Sequence, residues 1–590
     1  MNNYFPPALI FIIGALFIPL LKGKVKSAFM LLLPVLSFII LVNIPEGKYW
    51  MFNLLDYDLI LGRVDRLSRV FGYIFTIISF IAILFALKVD DDLQHVTGLI
   101  YAGGALGVTF AGDLFSLYIF WEIMAVASTF LILARRTIKS QAAAYRYILV
   151  HIFGGLCLLA GIILYFRQTG TLEFSYIGLK GTASYLIFVG IALNAAIPPL
   201  HPWLQDAYPE ATVTGAVFLS AFTTKSAVYF MARTFPGTEI LIWLGALMTA
   251  MPIFYAVLEN DIRRVLGYSL INQVGFMMVG IGIGTQLAIN GTVSHAFCHI
   301  LYKALLFMST GSVLYVTGKI RCTDLGGLYK TMPLTCLFCM IGAASISAFP
   351  IFSGFVSKSM IVSAAAHNHL AVIWLILQFA SAGVFHHAGI KVPFFTFFGH
   401  DSGIRAKEPP LNMLIAMGMA AFFCVFLGLF PKPLYNILPY PVDYLPYTGA
   451  HVVGQLQLLM FGALAFCLLI LSGVYPAELR ATNLDTDWFY RKGGKLIFYV
   501  ADKSLNGINS FCDKIFAIKL ASSLGKLSRN APARLALIFV VPLRFLTGMK
   551  RDNLAVIKER VYATLETGST PLGISAALAT IFLVVVYFLT

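Results

Sequence analysis

The sequence predicts an all-α, polytopic membrane protein with about sixteen transmembrane helices, some of them broken. Composition is the first reason: of 590 residues 59% are hydrophobic and 12% are charged, against roughly 25% charged in an average soluble domain. The second is periodic segmentation, with apolar runs of at least about 17 residues recurring along the chain, near the roughly 20 residues that span a bilayer. Proline and glycine cut into two of those runs, which a bilayer tolerates only where the freed backbone lines a polar cavity.

Taken in order, the runs lie at about 5–21, 27–43, 69–88, 96–112, 114–134, 141–166, 183–199, 211–233, 238–257, 266–285, 290–316, 332–351, 369–390, 411–430, 452–473 and 572–589. No basic region precedes the first and no small-residue cleavage site follows it, so it reads as a retained helix. Connections after odd-numbered runs hold about 14 Lys and Arg and those after even-numbered runs about 8, which predicts both termini on the outer side. The same bias accounts for the net charge of +15 without nucleic acid as a partner. Among eight cysteines, Cys336 and Cys339 form the one Cys-x-x-Cys, without the second pair that a zinc or iron–sulfur site would need.

Residues 474–571 differ, with 15 Lys or Arg against 8 Asp or Glu. From Lys495 to Leu546 apolar Ile497, Phe498, Phe511 and Phe516 alternate with Lys503, Lys514, Lys519 and Arg529, the pattern of an amphipathic helix lying along a membrane or a neighbouring subunit. Pro532 and Pro542 are expected to break it. The organisation expected is 1–95 for N-terminal helices, 96–236 and 237–400 for two core halves, 401–473 for additional helices, 474–571 for the lateral segment on the cytoplasmic side, and 572–590 for a last span.

The interrupted runs end in Ala196-Ile197-Pro198-Pro199 and in Ala348-Phe349-Pro350-Ile351-Phe352-Ser353-Gly354. Ionisable side chains within spans cost several kcal/mol unless they face a wet interior, so each is a functional candidate. They are Glu122, Lys225, His295, His299, Lys303, Lys358 after the second break, and Lys391 with His386 and His387. His295, His299 and Lys303 are spaced i, i+4, i+8, which stacks them on one helix face over about 12 Å. Histidine titrates near neutral pH and a desolvated lysine gives up its proton more readily, so such a column can relay protons. Zinc also uses His at i and i+4, but no third ligand is nearby and Lys303 repels a cation. For Glu122 the plain alternative is a lysine partner that ties helices together; Lys391, His386 and His387 read as lining a cytoplasmic mouth beside Pro393 and His400.

Six motifs follow one another: Trp121-Glu122, His201-Pro-Trp203-Leu-Gln-Asp206, Thr224-Lys225-Ser-Ala-Val-Tyr229, Asp261 through Arg264, Tyr268, Ser269 and Gln273 to Gly275, His295-x3-His299-x3-Lys303, and Ser353-Gly-Phe-Val-Ser-Lys358. Together they resemble the antiporter-like proteins (D-type or A-type) shared by Mrp-type cation/proton antiporters and the membrane arm of respiratory complex I. The lateral stretch, introduced by Leu484-Asp485-Thr-Asp487-Trp488, and the last span resemble the distal subunit of complex I. The resemblance implies two inverted five-helix units and proton transfer through Glu122, His295, His299, Lys303 and Lys358, with Lys225 matching a lysine of many members. It also exposes a departure: Asn194 stands where the family usually has a lysine before the first break, and asparagine cannot hold a positive charge.

These features predict a proton-translocating subunit of a multisubunit Na+/H+ antiporter in a cell (inner) membrane, with other membrane subunits, lipid, protons and a monovalent cation as partners. The chain shows no P-loop, dinucleotide turn or cysteine cluster, so no cofactor of its own is expected. Two other readings stay open. One is a pumping subunit of an NADH-, ferredoxin- or hydrogenase-linked complex. The other is the membrane partner of an inorganic-carbon uptake system.

Overall fold

The structure, a computed structural model, describes residues 4–54, 57–476, 478–479, 483–548, 550–565 and 572–589. Residues 566–571 and Thr590, at the end of the expected lateral segment and last span, lie outside the described residues. The chain divides into two compact units, Met1–Asp487 and Trp488–Thr590.

The first unit opens with α1 (Pro7–Phe17) and α2 (Gly23–Asn43). An antiparallel hairpin follows, β1 (Gly47–Leu54) and β2 (Tyr57–Val64), with Phe52 opposite Leu59. This hairpin is an addition to the all-helical expectation, built in a connection too short and polar for a span. It is fastened to the bundle where Ile60 N donates to Asp113 Oδ2 at 2.7 Å and Gly112 N donates to Ile60 O at 2.8 Å. Next come α3 (Arg66–Ala86), α4 (Asp92–Phe110), α5 (Leu114–Leu133), α6 (Ile138–Thr169), α7 (Gly181–Asn194), the short α8 (Pro202–Ala207), α9 (Val213–Ala221) and α10 (Thr223–Thr234). Asp65 starts α3 with a capping box, accepting from Ser68 N at 2.9 Å, and both its oxygens accept from the Arg233 guanidinium at 2.8 Å.

A second series follows: α11 (Glu239–Leu258), α12 (Ile262–Ile283), α13 (Gln286–Thr317), α14 (Pro333–Ile346), α15 (Ser353–His367) and α16 (Ala371–Val384), which continues into π-helical stretches at Phe385–Lys391 and Phe394–Phe398. The lengths of α4 to α7 are 19, 20, 32 and 14 residues, and those of α11 to α14 are 20, 22, 32 and 14. Asp113 and Asp261 cap the second helix of each series, and each forms an isolated β-bridge, to Glu173 and Arg321. Each 14-residue helix ends two residues before an alanine in the left-handed region, Ala196 at φ 58° and Ala348 at φ 56°. A non-glycine residue held there costs on the order of 1–3 kcal/mol, so the two turns are imposed by their surroundings.

The unit closes with α17 (Leu411–Leu429), α18 (Lys432–Asn436) and α19 (Gly449–Leu471). Among the described residues ten helices are long and apolar enough to cross a bilayer, and four shorter apolar helices accompany them. α15 was not among the expected runs: at 15 residues it falls below span length, and serine and alanine dilute its hydropathy. The almost wholly buried α12 and α13 form the centre of the bundle.

The second unit contains α20 (Asp487–Cys512), a π-helical stretch at Asp513–Leu520, α21 (Ala521–Thr547), α22 (Arg551–Leu565) and α23 (Leu572–Leu589). The expectation of a break at Pro532 and Pro542 is corrected here, because both lie inside α21. Each proline removes one backbone N–H and crowds one carbonyl a turn earlier, and α21 absorbs that loss within 27 residues.

Candidate functional site

α13 is buried over most of its length, which puts its polar face in the interior rather than toward lipid. His295, His299 and Lys303 are each 0% exposed. The His295 and His299 ring centroids are 6.2 Å apart, and the Tyr302 ring sits edge-on to His299 at 5.2 Å. His295 Nε2 is 3.2 Å from Gln273 Oε1, to which the Tyr302 hydroxyl also donates at 3.1 Å, and its Nδ1 is 3.1 Å from Ser357 Oγ of α15. Both nitrogens of His299 are buried without a hydrogen-bond partner. Lys303 Nζ donates to the Leu266 carbonyl at 3.1 Å and to Ser269 Oγ, both on α12.

Lysines converge on this column from two other helices. Lys225, 0% exposed in the first turn of α10, donates to the Ser220 carbonyl at 2.6 Å across the kink between α9 and α10. Lys358 reaches back from α15 to the Ile346 carbonyl at 2.9 Å and lies 5.1 Å from the centre of the Phe276 ring. Ile346 is the last residue of α14, and the final carbonyls of a helix have no internal partner and carry its negative dipole end, so the break itself seats the lysine. Gly354 makes that approach feasible, since a Cβ there would lie 1.8 Å from the Ser345 carbonyl oxygen. Lys225, Lys303, Lys358 and His295 all lie within electrostatic range of His299. Lys358 also borders a cavity of about 790 Å³ with Ser359, Gln378, Ser381, His451 and Gln455.

The first break is built differently. The carbonyl of Leu193, next to last in α7, accepts from the neutral Trp203 indole at 2.8 Å, whereas the second break seats a lysine on the last carbonyl of α14. Asn194 Nδ2 bonds the Gly190 carbonyl at 3.1 Å, and Asn194 Oδ1 is buried without a partner. Glu122 is apart from the lysine column: among the described residues no ion pair within 4 Å joins it to a lysine. Its carboxylate is half-buried against Gly155 of α6 and lines an apolar groove with Leu93, Ile100, Val126 and Phe130.

Several polar residues of the site carried no role in the sequence reading. Gln273 and Ser269 were visible at i, i+4 on α12, but only packing shows that they face α13. Lys391, read at the surface mouth, is 0% exposed; it pairs with Glu478 at 2.8 Å and donates to the carbonyls of Ala256, Val257 and Glu259 at 3.2, 2.6 and 2.8 Å. Burial pushes the Glu478 carboxyl up from its ordinary range, and the Lys391 ammonium opposes that rise. Asp485, 217 residues beyond Tyr268, is also buried.

Residues 111–383 match the family described as NADH:quinone oxidoreductase/Mrp antiporter, TM. Over that stretch, a little under half of its length, the chain is similar to this antiporter-like membrane family. Similar proteins include the A-type Na(+)/H(+) antiporter subunit of Alkalihalophilus pseudofirmus, 29% identical over 510 residues that make up 75% of this chain and 62% of that protein. The A1-type Na(+)/H(+) antiporter subunit of Staphylococcus haemolyticus is 28% identical over 577 residues, 85% of this chain and 71% of the relative. The antiporter-like chain thus spans less than two thirds of the first relative's length, and both relatives are A-type by name rather than D-type. Among solved structures, a chain of the Mrp complex from Dietzia sp. DQ12-45-1b superposes with a TM-score of 0.64 at 20% identity, covering 73% of this chain and 95% of that one. A chain of the membrane-bound sulfane sulfur reductase, an archaeal respiratory membrane complex, gives 0.67 at 25% identity, covering 77% and 98%. The antiporter-like fold is therefore that of chains from multisubunit membrane complexes.

Proposed function

We propose that the chain is a proton-translocating subunit of a multisubunit Na+/H+ antiporter, working in a cell membrane beside other membrane subunits. The observation that carries this reading is the buried column of Lys225, His295, His299, Lys303 and Lys358, in which three cations act on two imidazoles within a polar interior. Moving a proton onto one member disfavours charge on the next, so the column passes charge stepwise instead of storing it. Lys303 and Lys358 are held by carbonyls and hydroxyls rather than by carboxylates, which leaves them able to become neutral without orphaning a buried anion. The relatives' names support sodium as the exchanged ion.

The two helix series act as inverted halves at 96–236 and 237–400, and the lysine and histidine machinery is concentrated in the second. Asn194 and the unpaired Glu122 leave the first half without the charged pair that would switch it, so Lys225 serves the second half's column. The excess of Lys and Arg in odd-numbered connections supports termini on the outer side. A redox-linked reading rests on the likeness to the archaeal respiratory complex.

Everted vesicles carrying the whole complex test the proposal. A Na+ pulse is expected to drive proton movement that Lys303→Ala and Lys225→Ala abolish with assembly intact. Wild-type transport in both variants would make the chain a scaffold. Redox-driven proton movement without any response to Na+ would favour the second reading.

A further inference from the structure

The stretch between α19 and α20 is stitched into the first unit. Glu478 pairs with Lys391 at 2.8 Å, the Leu479 carbonyl accepts from Asn260 at 3.3 Å, and Asn483 donates to Glu259 at 3.3 Å. Thr486 Oγ1 donates to the Pro199 carbonyl at 3.2 Å, at the first break. Between these contacts Asp485 is 6% exposed although neighbouring Leu484 is 72% exposed, so its carboxylate turns inward from a surface loop. One carboxylate oxygen lies 3.2 Å from His201 Nε2 and accepts from the Tyr268 hydroxyl at 3.0 Å.

Behind this pair lies the turn of α12 that also holds Lys303. His201 precedes α8, and its Nδ1 is buried without a partner. Gln205, four residues on, has both amide atoms buried and unpartnered, and it presses so closely on α12 that a Cβ on Gly267 would lie 2.5 Å from its Oε1. Gly267 sits between Leu266, whose carbonyl holds Lys303, and Tyr268, whose hydroxyl holds Asp485. A single turn of α12 thus contacts the connector on one side and the path lysine on another.

We propose that His201 is a buried proton-loading group on the route to Lys303, and that Asp485 is the positioning residue that orients it. This rests on the proton-path reading above. With Nε2–H donated to Asp485, Nδ1 carries the lone pair; when it takes up a proton the imidazolium is stabilised by the carboxylate, and Nδ1 releases that proton toward Gln205 and the α12 turn. No other atom changes its bonding. Burial opposes the Asp485 charge, but the hydrogen bonds from His201 and Tyr268 hold its carboxyl below the usual range. The other charged or titratable groups facing the pair are Tyr255, stacked on Tyr268 at 5.3 Å, Arg264, paired with Glu259 at 3.4 Å, and Asp487.

The test uses the whole complex in everted vesicles, Na+ as the probe, and a pH-sensitive dye. Asp485→Asn is expected to move the alkaline limb of the pH profile to lower pH by about one unit, because the imidazolium loses its counter-charge. The half-saturating Na+ concentration is expected to stay at the wild-type value, and Asp485→Glu to restore the profile. An unchanged profile in Asp485→Asn, with Lys303→Ala inactive, overturns the loading role while leaving the path reading in place. Full activity in Lys303→Ala overturns both. Assembly is followed on native gels; if Asp485→Asn does not assemble, His201→Gln, which removes the proton-accepting ring, carries the test, and wild-type proton movement with an unchanged pH profile in that variant overturns the proposal.

Discussion

Lys358 places its ammonium 2.9 Å from the carbonyl oxygen of Ile346, the last residue of the helix before the second break. A helix end that would be an unsatisfied acceptor in the bilayer is thereby turned into the seat of a titratable cation. The same bond fixes the lysine against the 790 Å³ cavity on one side and the Phe276 ring on the other.

Lys358→Met should separate the two roles of that bond. Leaving the Ile346 carbonyl unpaired costs about 1–3 kcal/mol, read as a lowered unfolding temperature of the purified complex, and Na+-driven proton movement should fall at least about tenfold. Wild-type transport in Lys358→Met would remove this lysine from the path.

Gly155 decides where the Glu122 carboxylate rests, because a Cβ at that position would stand 2.1 Å from Oε1. Gly155→Ala should push this flexible side chain outward into the groove between Ile100 and Val126 while the helices keep their packing. Carbodiimide labelling of Glu122, followed by mass spectrometry, is expected to rise about twofold or more in the variant. Equal labelling would show that the carboxylate does not depend on Gly155.

Asp65 and Arg233 give the fold an acid limit. Burial opposes the Asp65 charge, but the two bonds from Arg233 hold its carboxyl at about 2, below the ordinary 3.8. The folded value is depressed, so the stabilisation, about 2 kcal/mol, is present above the unfolded value near 4 and is lost as pH falls from about 4 to 2. Thermal unfolding followed by tryptophan fluorescence should show that loss in the wild type. In Asp65→Asn the curve should start lower and be flatter over the same interval.

The pair of Lys391 and Glu478 should be asymmetric. Without the carboxylate, Lys391 keeps three carbonyl partners, so Glu478→Gln should cost only about 1–3 kcal/mol. Lys391→Met strands a buried carboxylate as well as those carbonyls, and should cost about 3–5 kcal/mol. Denaturation of the two single variants ranks them; equal losses would contradict the geometry.

How much of the site could be read from the chain depends on the range of the interactions involved. The His295, His299 and Lys303 column was legible because an α-helix repeats its faces at i+4, a local property. The breaks were legible because Pro198, Pro199 and Pro350 cannot continue a helix in the ordinary way. α21 went the other way, since its two prolines are carried inside a continuous helix. Glu122 was identified as a mid-span carboxylate, but that it faces Gly155 and an apolar groove instead of a lysine depends on which helices pack together.

Composition, periodicity and six ordered motifs determined by themselves that this is a multi-pass helical membrane protein similar to the antiporter-like family, because lipid forces nearly every backbone group into helices and penalises each stray charge. Tertiary structure alone decided the partners: Lys358 with Ile346, Lys303 with Leu266 and Ser269, Lys391 with Glu478, and Asp485 with His201 across 284 residues. Those pairings join segments far apart in the chain, and hydrogen bonds and ion pairs of 2.6 to 3.2 Å depend on the packed arrangement of whole helices, which no local pattern encodes.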